Sequence, residues 1–253
     1  MKKLHKLKSG SAVEINFRPD QILNNKSSFA VTEAYKTVRT NLHYISNDDG
    51  CNIIAVTSSY PGEGKTITCS NIAICLAQSG KKVLLIDSDM RKPQISETFG
   101  LEKNPGLSEL LAGIVKLSDD EANCCIQKTH IENLDAISAG KTPPNPSELL
   151  AGKRLKELLE KLSEKYDFIM IDTPPTLVVA DAMILKNHIN GYIIVVRSDV
   201  SGSDMVKETV AKFRQIDAKI CGFVLNGQKV KTGGKYSRYG KYKKYSKYSR
   251  YEK

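Results

Sequence analysis

The stretch from Asn52 to Thr66 decides the fold, and it reads NIIAVTSSYPGEGKT. Its first seven residues, 52–58, are mostly apolar, as in a strand that is buried on both faces of a sheet. A turn with two glycines follows, and a helical pattern begins at Lys65. A strand, a glycine-rich turn and a helix in this order predict a loop that binds phosphate groups at the start of the helix.

The spacing of the turn agrees with that prediction. Ser59, Gly64, Lys65 and Thr66 match the pattern G-x-x-x-x-G-K-[ST], with serine in place of the first glycine. We expect backbone N–H groups to point at phosphate oxygens, Lys65 to reach the β and γ phosphates, and the Thr66 hydroxyl to ligate Mg²⁺. The predicted nucleotide-binding residues of this loop are Ser59, Gly62, Glu63, Gly64, Lys65 and Thr66.

Short apolar runs alternate with helical patterns through most of the chain. The predicted strands are 52–58, 82–87, 134–139, 167–172, 192–197 and 220–225. The predicted helices are 65–79, 147–165, 181–188 and 203–215, preceded by an amphipathic helix at 28–46. Apolar strands that alternate with helices predict a P-loop α/β domain, a doubly wound and mostly parallel sheet with helices on both faces.

Charge and composition divide the 253-residue chain into three parts. Residues 1–27 are polar and without pattern, which predicts a flexible segment. Residues 28–226 form the predicted P-loop domain. Residues 227–253 hold ten Lys and Arg against one Glu, a net charge of +9 out of +10 for the whole chain, and predict a flexible basic tail. The basic character therefore belongs to the tail and not to the domain.

Cysteines and hydropathy place the protein in a reducing compartment without a membrane span of its own. The six cysteines form no C-x-x-C pair and favour free thiols, although nothing in the sequence explains the adjacent Cys124 and Cys125. No stretch approaches the ~20 apolar residues of a membrane-spanning helix. We therefore expect a cytoplasmic protein.

Three aspartates follow buried strands. Asp87 and Asp89 lie at the end of the strand 82–87, and Asp172 ends the strand 167–172. Parallel strands present their carboxyl ends at one edge of the sheet, so all three are expected near the phosphate loop. Asp172 and Asp87 are predicted to hold Mg²⁺, and either Asp87 or Asp89 could accept a proton from an attacking hydroxyl. Asn226 ends the last strand, where a contact to the base of ATP and a plain strand-ending turn are both open.

Six tyrosines recur at every third position of the tail. They are Tyr236, Tyr239, Tyr242, Tyr245, Tyr248 and Tyr251. In an α-helix this spacing scatters the rings around the whole circumference, whereas a polyproline-II-like chain aligns them in one row about 9 Å apart. Each tyrosine also has a similar Lys, Arg, Ser and Gly neighbourhood. The pattern predicts an extended substrate that one active site could read repeatedly.

Several stretches together resemble one family. They are VTSSYPGEGKT, VLLIDSDMRKP, GLSELLAG, AGKTPPNPSELL, DFIMIDTPP and the tyrosine cluster. From about residue 28 to its end, the chain is similar to the bacterial tyrosine autokinases of capsule and exopolysaccharide synthesis (BY-kinases), in their stand-alone cytoplasmic form. The resemblance implies ATP and Mg²⁺ as cofactors, with Lys65, Asp87, Asp89 and Asp172 as the catalytic residues and the six tail tyrosines as phosphoacceptors.

The resemblance also implies partners. Glu33, Lys36 and Arg39 look like the family's E-x-x-[RK]-x-x-R segment, which builds a ring in which one subunit's tail enters a neighbour's site. The same three charges would also suit the solvated face of a helix. A separate membrane-spanning activator of the polysaccharide chain-length-regulator type, a cognate protein-tyrosine phosphatase and further protein substrates are implied as well. Through the activator, the chain would lie against the inner face of the cell membrane.

Two other functions are compatible with parts of the sequence. A partition or site-placement ATPase shares this fold but resembles a K-G-G-x-G-K-T loop, whose first lysine is replaced here by Tyr60. Lysines and tyrosines in the tail could instead track phosphates and stack on bases of a nucleic acid. The regular tyrosine spacing favours the kinase, so no nucleic-acid partner is expected.

Overall fold

A seven-stranded sheet organises the residues that the computed structural model describes, which are 21–45, 50–117 and 123–228. The strands are β1 (Asn52–Ser58), β2 (Val83–Asp87), β3 (Ile126–Lys128), β4 (Leu134–Ile137), β5 (Phe168–Asp172), β6 (Gly191–Arg197) and β7 (Ile220–Asn226). The helices are α1 (Phe29–Ile45), α2 (Lys65–Ala77), α3 (Ile95–Phe99), α4 (Leu107–Ala112), α5 (Pro146–Ala151), α6 (Lys153–Ser163), α7 (Asp181–Ile184) and α8 (Ser203–Gln215). Short 3₁₀ turns span Asn123–Cys125 and Leu185–His188.

The strand order places the phosphate loop at the centre of the sheet. The order is β3-β4-β2-β5-β1-β6-β7, and every neighbouring pair is parallel except the antiparallel β3 and β4. In register, Val56 of β1 pairs with Asp172 of β5, and Asp172 pairs with Asp87 of β2. The ends of these three strands therefore meet at one edge, as expected for a doubly wound sheet. The predicted fold class is confirmed.

Alternate residues of the central strands supply two separate cores. In β1, Ile54 and Val56 belong to the core beneath α1 and α2, whereas Ile53 and Ala55 belong to the core on the opposite face. This follows from the two-residue period of side chains along a strand. Helix α2 is buried on nearly all sides because α1 packs over its outer face.

The predicted helix 147–165 is two helices, so that prediction is corrected. Gly152 lies between α5 and α6 with extended backbone angles, φ −71° and ψ 154°. A residue with those angles cannot continue the i to i−4 hydrogen-bond ladder. The amphipathic pattern of α6 is intact, with Leu155, Leu158, Leu159 and Leu162 buried. The predicted helix 181–188 likewise consists of the short α7 followed by a 3₁₀ turn.

The last residues of the predicted flexible N-terminal segment are packed, which corrects the prediction for residues 21–27. Ile22 and Leu23 are buried in the core beneath α1. The Leu23 backbone N–H donates to Asn71 Oδ1 at 2.7 Å, and Asn71 Nδ2 donates to the Gln21 carbonyl at 3.2 Å. A stretch of only two apolar residues is too short for the sequence to predict this contact. We call residues 21–28 the N-terminal strap.

The remaining predictions for the ends of the chain lie outside the described residues. These are the flexibility of residues 1–20 and of the tail from residue 229. Within the described ranges, the structure holds no helix that is long and apolar enough to span a bilayer.

Candidate active site

Two glycines shape the phosphate loop between β1 and α2. Gly62 and Gly64 have positive φ angles of 87° and 89°, a conformation that costs a residue with a side chain about 1 kcal/mol or more. A Cβ atom on Gly64 would also lie only 2.1 Å from Asn226 Nδ2. Helix α2 begins at Lys65, so its first backbone N–H groups face the loop. The loop therefore has the form that binds phosphate.

Ser59 replaces the first glycine of the pattern without disturbing this form. Its side chain is fully buried, and its Oγ lies 2.8 Å from Oγ1 of Thr209 in α8. The hydroxyl thus points away from the phosphate side and ties the loop to a helix on the other face of the sheet. The side chain of Ser59 therefore has a structural partner, and nucleotide binding through its backbone stays a prediction.

Side chains of two predicted nucleotide-binding residues brace the loop from outside. Glu63 Oε2 accepts the Tyr60 N–H at 2.9 Å, and its other oxygen accepts the hydroxyl of Ser201. Asn226 Nδ2 donates to the Glu63 carbonyl at 3.0 Å. Arg197, which sequence reasoning missed, donates from Nη1 to the Gly62 carbonyl at 2.6 Å. These contacts hold the loop backbone in place. Asn226 also lines the pocket, and its contact to the base of ATP stays a prediction.

Lys65, Thr66, Asp89 and Asp172 form one buried polar network. Lys65 Nζ lies 2.8 Å from Asp89 Oδ2 and 3.6 Å from Asp172 Oδ2, and Thr66 Oγ1 donates to Asp172 Oδ2 at 2.6 Å. Burial lowers the pKa of Lys65, but the charges of Asp172 and Asp89 outweigh it and the pKa is raised. The lysine is therefore held as a cation at the position where the pattern predicts phosphate oxygens.

Asp87 lies deeper, at the end of β2. Its Oδ1 accepts the Asp89 N–H at 3.1 Å, and its Oδ2 accepts the N–H groups of Gln94 and Ile95 at 2.9 and 3.0 Å. Burial, followed by the charge of Asp172, raises the pKa of Asp87 to about 8, although the Ile95 N–H works against this rise. Asp87 thus organises the loop after β2 and is also a group that can hold a proton near neutral pH.

The oxygen atoms beside the loop suit a magnesium ion. Asp172 Oδ1 is buried without a hydrogen-bond partner among the described residues, while the other oxygen accepts the Thr66 hydroxyl. Burial raises the pKa of Asp172 to about 6. A hydroxyl and a carboxylate are ligands that Mg²⁺ accepts, together with water and substrate phosphates. No group of three His, Cys, Asp or Glu side chains in the described ranges could hold a metal alone.

A pocket of about 920 Å³ opens above this network. It is lined by the phosphate loop, the loop 88–94 after β2, the loop 173–180 after β5, and Arg197 with Gly227 at the ends of β6 and β7. The N-terminal strap supplies another wall through Gln21, Lys26, Ser27 and Ser28. The volume is in the range of sites for cofactors and drug-sized ligands. Sequence reasoning missed the strap because the contact is tertiary.

The three predicted interface residues of α1 all lie near Cys75 of α2. Glu33 and Lys36 pair with each other at 2.9 Å, whereas Arg39 Nη1 donates toward the Cys75 carbonyl of α2 at 3.4 Å. Their role between subunits stays a prediction. The six predicted phosphoacceptor tyrosines lie outside the described residues.

The fold and the site define the class of protein. A family model described as an AAA domain matches residues 51–221, and the phosphate loop with its carboxylates marks the chain as a P-loop protein of that class. Among solved structures at lower similarity, MinD of Pyrococcus horikoshii, complexed with Mg-ADP, is 28% identical with a TM-score of 0.58, over 69% of this chain and 70% of that one.

Closer relatives identify the family within that class. The tyrosine-protein kinase YwqD of Bacillus subtilis is 39% identical over 205 residues, which cover 81% of this chain and 84% of YwqD. The putative tyrosine-protein kinase CapB of Staphylococcus aureus is 33% identical over 85% of this chain and 92% of CapB. The kinase domain of Escherichia coli ETK has a TM-score of 0.75 and 35% identity, over 81% and 79% of the two chains. The chain belongs to the bacterial tyrosine kinases, although it spans only 29% of the length of several other relatives.

Proposed function

We propose that the chain transfers the γ-phosphoryl group of Mg-ATP to tyrosines of its own C-terminal tail and so regulates the synthesis and export of capsular or extracellular polysaccharide. The network of Lys65, Thr66, Asp89 and Asp172 beside the phosphate loop carries the proposal. It supplies a cation for the phosphates and carboxylates for metal and proton in one pocket. Membership of the tyrosine-kinase family supports tyrosine as the acceptor.

The protein's own groups bind and orient the nucleotide. The backbone N–H groups of the phosphate loop and the start of α2 receive the phosphates, and Lys65 neutralises the β and γ oxygens. Asp89 holds Lys65 until the phosphates arrive, because the two side chains form an ion pair of 2.8 Å. Thr66 and Asp172 would hold Mg²⁺, which when bound neutralises charge on the transferring phosphoryl group.

A carboxylate removes the proton from the attacking tyrosine. In the reaction, the bond between the tyrosine oxygen and the γ-phosphorus forms while the bond to the departing ADP oxygen breaks. The phenol proton moves to Asp87 or Asp89, the two carboxyl groups at the end of β2. Because burial raises the pKa of Asp87 to about 8, Asp87 would keep the proton once it had received it. It must first be ionised, and the positive charge of Mg²⁺ would favour the ionised form.

The tail has the charge and the position of a substrate. β7 ends at Asn226, which lines the pocket, so the tail begins at the rim of an active site. Each phosphotyrosine adds about −1.5 to −2 charges, so six would add about −9 to −12 and would cancel the tail's positive charge. The unmodified tail carries +9, and a tail with one phosphate still carries about +7. Its attraction to the acidic, ATP-loaded edge would therefore fade only once several tyrosines carry phosphate.

Partners complete the proposed function. Subunits would form a ring through Glu33, Lys36 and Arg39, and each tail would enter the site of a neighbour. A separate membrane-spanning activator of the polysaccharide chain-length-regulator type would switch the kinase on. A cognate phosphatase would remove the phosphate. The activator would hold the chain at the inner face of the membrane.

Incubation of the purified protein with Mg-ATP, with and without a candidate activator's cytoplasmic tail, tests the proposal. We expect a phosphotyrosine signal in the wild type, and its loss both in Lys65→Ala and in a chain truncated after Gln228. A phosphotyrosine signal that survives Lys65→Ala would contradict the proposed site. ATP hydrolysis without phosphotyrosine would instead favour the second candidate, an ATPase of the MinD type, which the structural similarity to MinD supports.

A further inference from the structure

Arg91 forms a hydrogen-bonded cluster with Asp181 and Ser147 beside the pocket, and the proposed mechanism does not use this cluster. We call it the Arg91 clasp. Its Nε donates to Asp181 Oδ2 at 2.9 Å, and its Nη2 donates to Asp181 Oδ1 at 3.2 Å. The same Nη2 donates to Ser147 Oγ at 3.1 Å, and that hydroxyl donates to Asp181 Oδ1 at 2.5 Å. Asp181 is completely buried. One face of the guanidinium is therefore fixed by a buried carboxylate and a hydroxyl.

The Arg91 clasp joins three segments that are far apart in the chain, and two of them border the same pocket. Arg91 belongs to the loop after β2, Asp181 begins α7 at the end of the loop after β5, and Ser147 lies in α5. Both loops are walls of the pocket. Arg91 lines this pocket together with Lys65 and Asp89.

The opposite edge of the guanidinium remains available. Arg91 itself lines the pocket, and 40% of its side chain is exposed. Within the part of the chain that the structure describes, Nη1 makes no hydrogen bond. An arginine whose Nε and Nη2 are held by a carboxylate keeps Nη1 as a donor of fixed direction, and donors of this kind bind phosphate oxygens well.

We propose that Arg91, positioned by Asp181 and Ser147, binds the phosphoryl group on the acceptor side of the pocket and so forms a subsite for phosphotyrosine. The inference rests on the proposed function and adds a residue to it. Lys65 holds the phosphoryl group while it is part of ATP, and Arg91 holds it once it is bonded to the tyrosine oxygen. Tight binding at this subsite would also slow the release of each phosphorylated tyrosine from the site.

Peptide binding tests the subsite directly. The probe is a labelled peptide with the sequence of residues 229–253, either unmodified or phosphorylated at Tyr242, added to the full-length protein in Mg-ADP. We expect the wild type to bind the phosphopeptide more tightly, and Arg91→Gln to weaken phosphopeptide binding at least about fivefold while affinities for ADP and unmodified peptide stay within about twofold. Ser147→Ala leaves the Arg91–Asp181 pair intact and should therefore weaken phosphopeptide binding less than Arg91→Gln does.

A matched arginine separates the subsite from a purely structural clasp. Arg154 also ties segments together, since it donates to the carbonyls of Leu110 and Val115 at 2.9 and 3.1 Å, but it does not line the pocket. Arg154→Gln should leave the preference for phosphopeptide unchanged. The inference is wrong if Arg91→Gln keeps the wild-type preference for phosphopeptide over unmodified peptide. It is also wrong if Arg91→Gln loses affinity for ADP and for both peptides by the same factor. In a separate incubation with Mg-ATP and a candidate activator's cytoplasmic tail, wild-type protein that never phosphorylates the unmodified peptide would overturn the proposed function instead.

Discussion

At the scale of the residue, the buried carboxyl of Asp87 should make the stability of the magnesium-free protein depend on pH. Burial and the charge of Asp172 raise its pKa from the ordinary 3.8 to about 8. Between these values the folded state keeps a proton that the unfolded state has lost. The stabilisation that comes from this proton on Asp87 is therefore fully present below about pH 4. The free energy of unfolding falls as pH rises from there toward 8.

Urea denaturation in EDTA at several pH values checks this expectation. Asp87→Asn cannot ionise, so its free energy of unfolding should fall less steeply between about pH 4 and 8 than that of the wild type. The variant should also be less stable at low pH, because an amide has one oxygen to accept the three N–H groups that Asp87 binds. Asp204→Asn, at an exposed position of α8, is the control. Parallel pH profiles for wild type and Asp87→Asn would refute the assignment.

The residues of the site also mark the limit of sequence reasoning. Lys65, Thr66, Asp89 and Asp172 meet as expected because a motif fixes the first two and strand ends fix the others. The sequence did not predict that the side chains of Glu63 and Asn226 hold the phosphate loop in place, since each forms a hydrogen bond with a residue that is distant in sequence. The same holds for Arg91 and Asp181, which are 90 positions apart. Only the folded structure shows which hydrogen-bond partner a polar side chain has.

At the scale of the element, the N-terminal strap depends on a single side chain of α2. Asn71 uses its oxygen for the Leu23 N–H and its nitrogen for the Gln21 carbonyl. Asn71→Leu removes both bonds and leaves a buried N–H without a partner, which should cost about 1–3 kcal/mol of stability. Because Ile22 and Leu23 would then be held only by apolar contacts, the strap should open locally far more often than the sheet unfolds.

Limited trypsin digestion measures that opening. Lys26 is exposed and lies within the strap, so cleavage after it should become about tenfold faster in Asn71→Leu. Ser79, just beyond the end of α2, donates its hydroxyl to the Leu76 carbonyl and does not contact the strap among the described residues, so Ser79→Ala should leave the rate unchanged. Added Mg-ADP should slow cleavage in the wild type, since the strap is a wall of the pocket. Equal cleavage rates in Asn71→Leu and the wild type would mean that Asn71 does not hold the strap.

Elements differ in how well the sequence reveals them, and burial explains the difference. The central strands are long apolar runs, and their predicted bounds agree with β1, β2 and β5 to within one residue. The antiparallel β3 has only three residues at the edge of the sheet, so its pattern was too short to recognise. The break at Gly152 was missed because the leucines of α6 continue a helical pattern across it. Short or interrupted elements are determined by their neighbours more than by their own residues.

At the scale of the whole molecule, the domain and the tail should be separable as enzyme and substrate. Both cores are built from residues that precede the end of β7 at Asn226. A chain truncated after Gln228 should therefore keep the melting temperature and ADP affinity of the full chain. It should also keep its catalytic network, while lacking all six tyrosines.

Mixing this truncated chain with full-length Lys65→Ala tests transfer between subunits. Neither protein alone should give phosphotyrosine, because one lacks the acceptors and the other lacks the lysine that neutralises the phosphates. Together with Mg-ATP they should place phosphate on the tail of Lys65→Ala, since the truncated chain's pocket is open to a second copy. A second Lys65→Ala chain with phenylalanine at the six tail tyrosines is the control and should stay unmodified. If the mixture remains unmodified while wild-type protein is phosphorylated, each tail serves the site of its own subunit and the proposed exchange between neighbours is wrong.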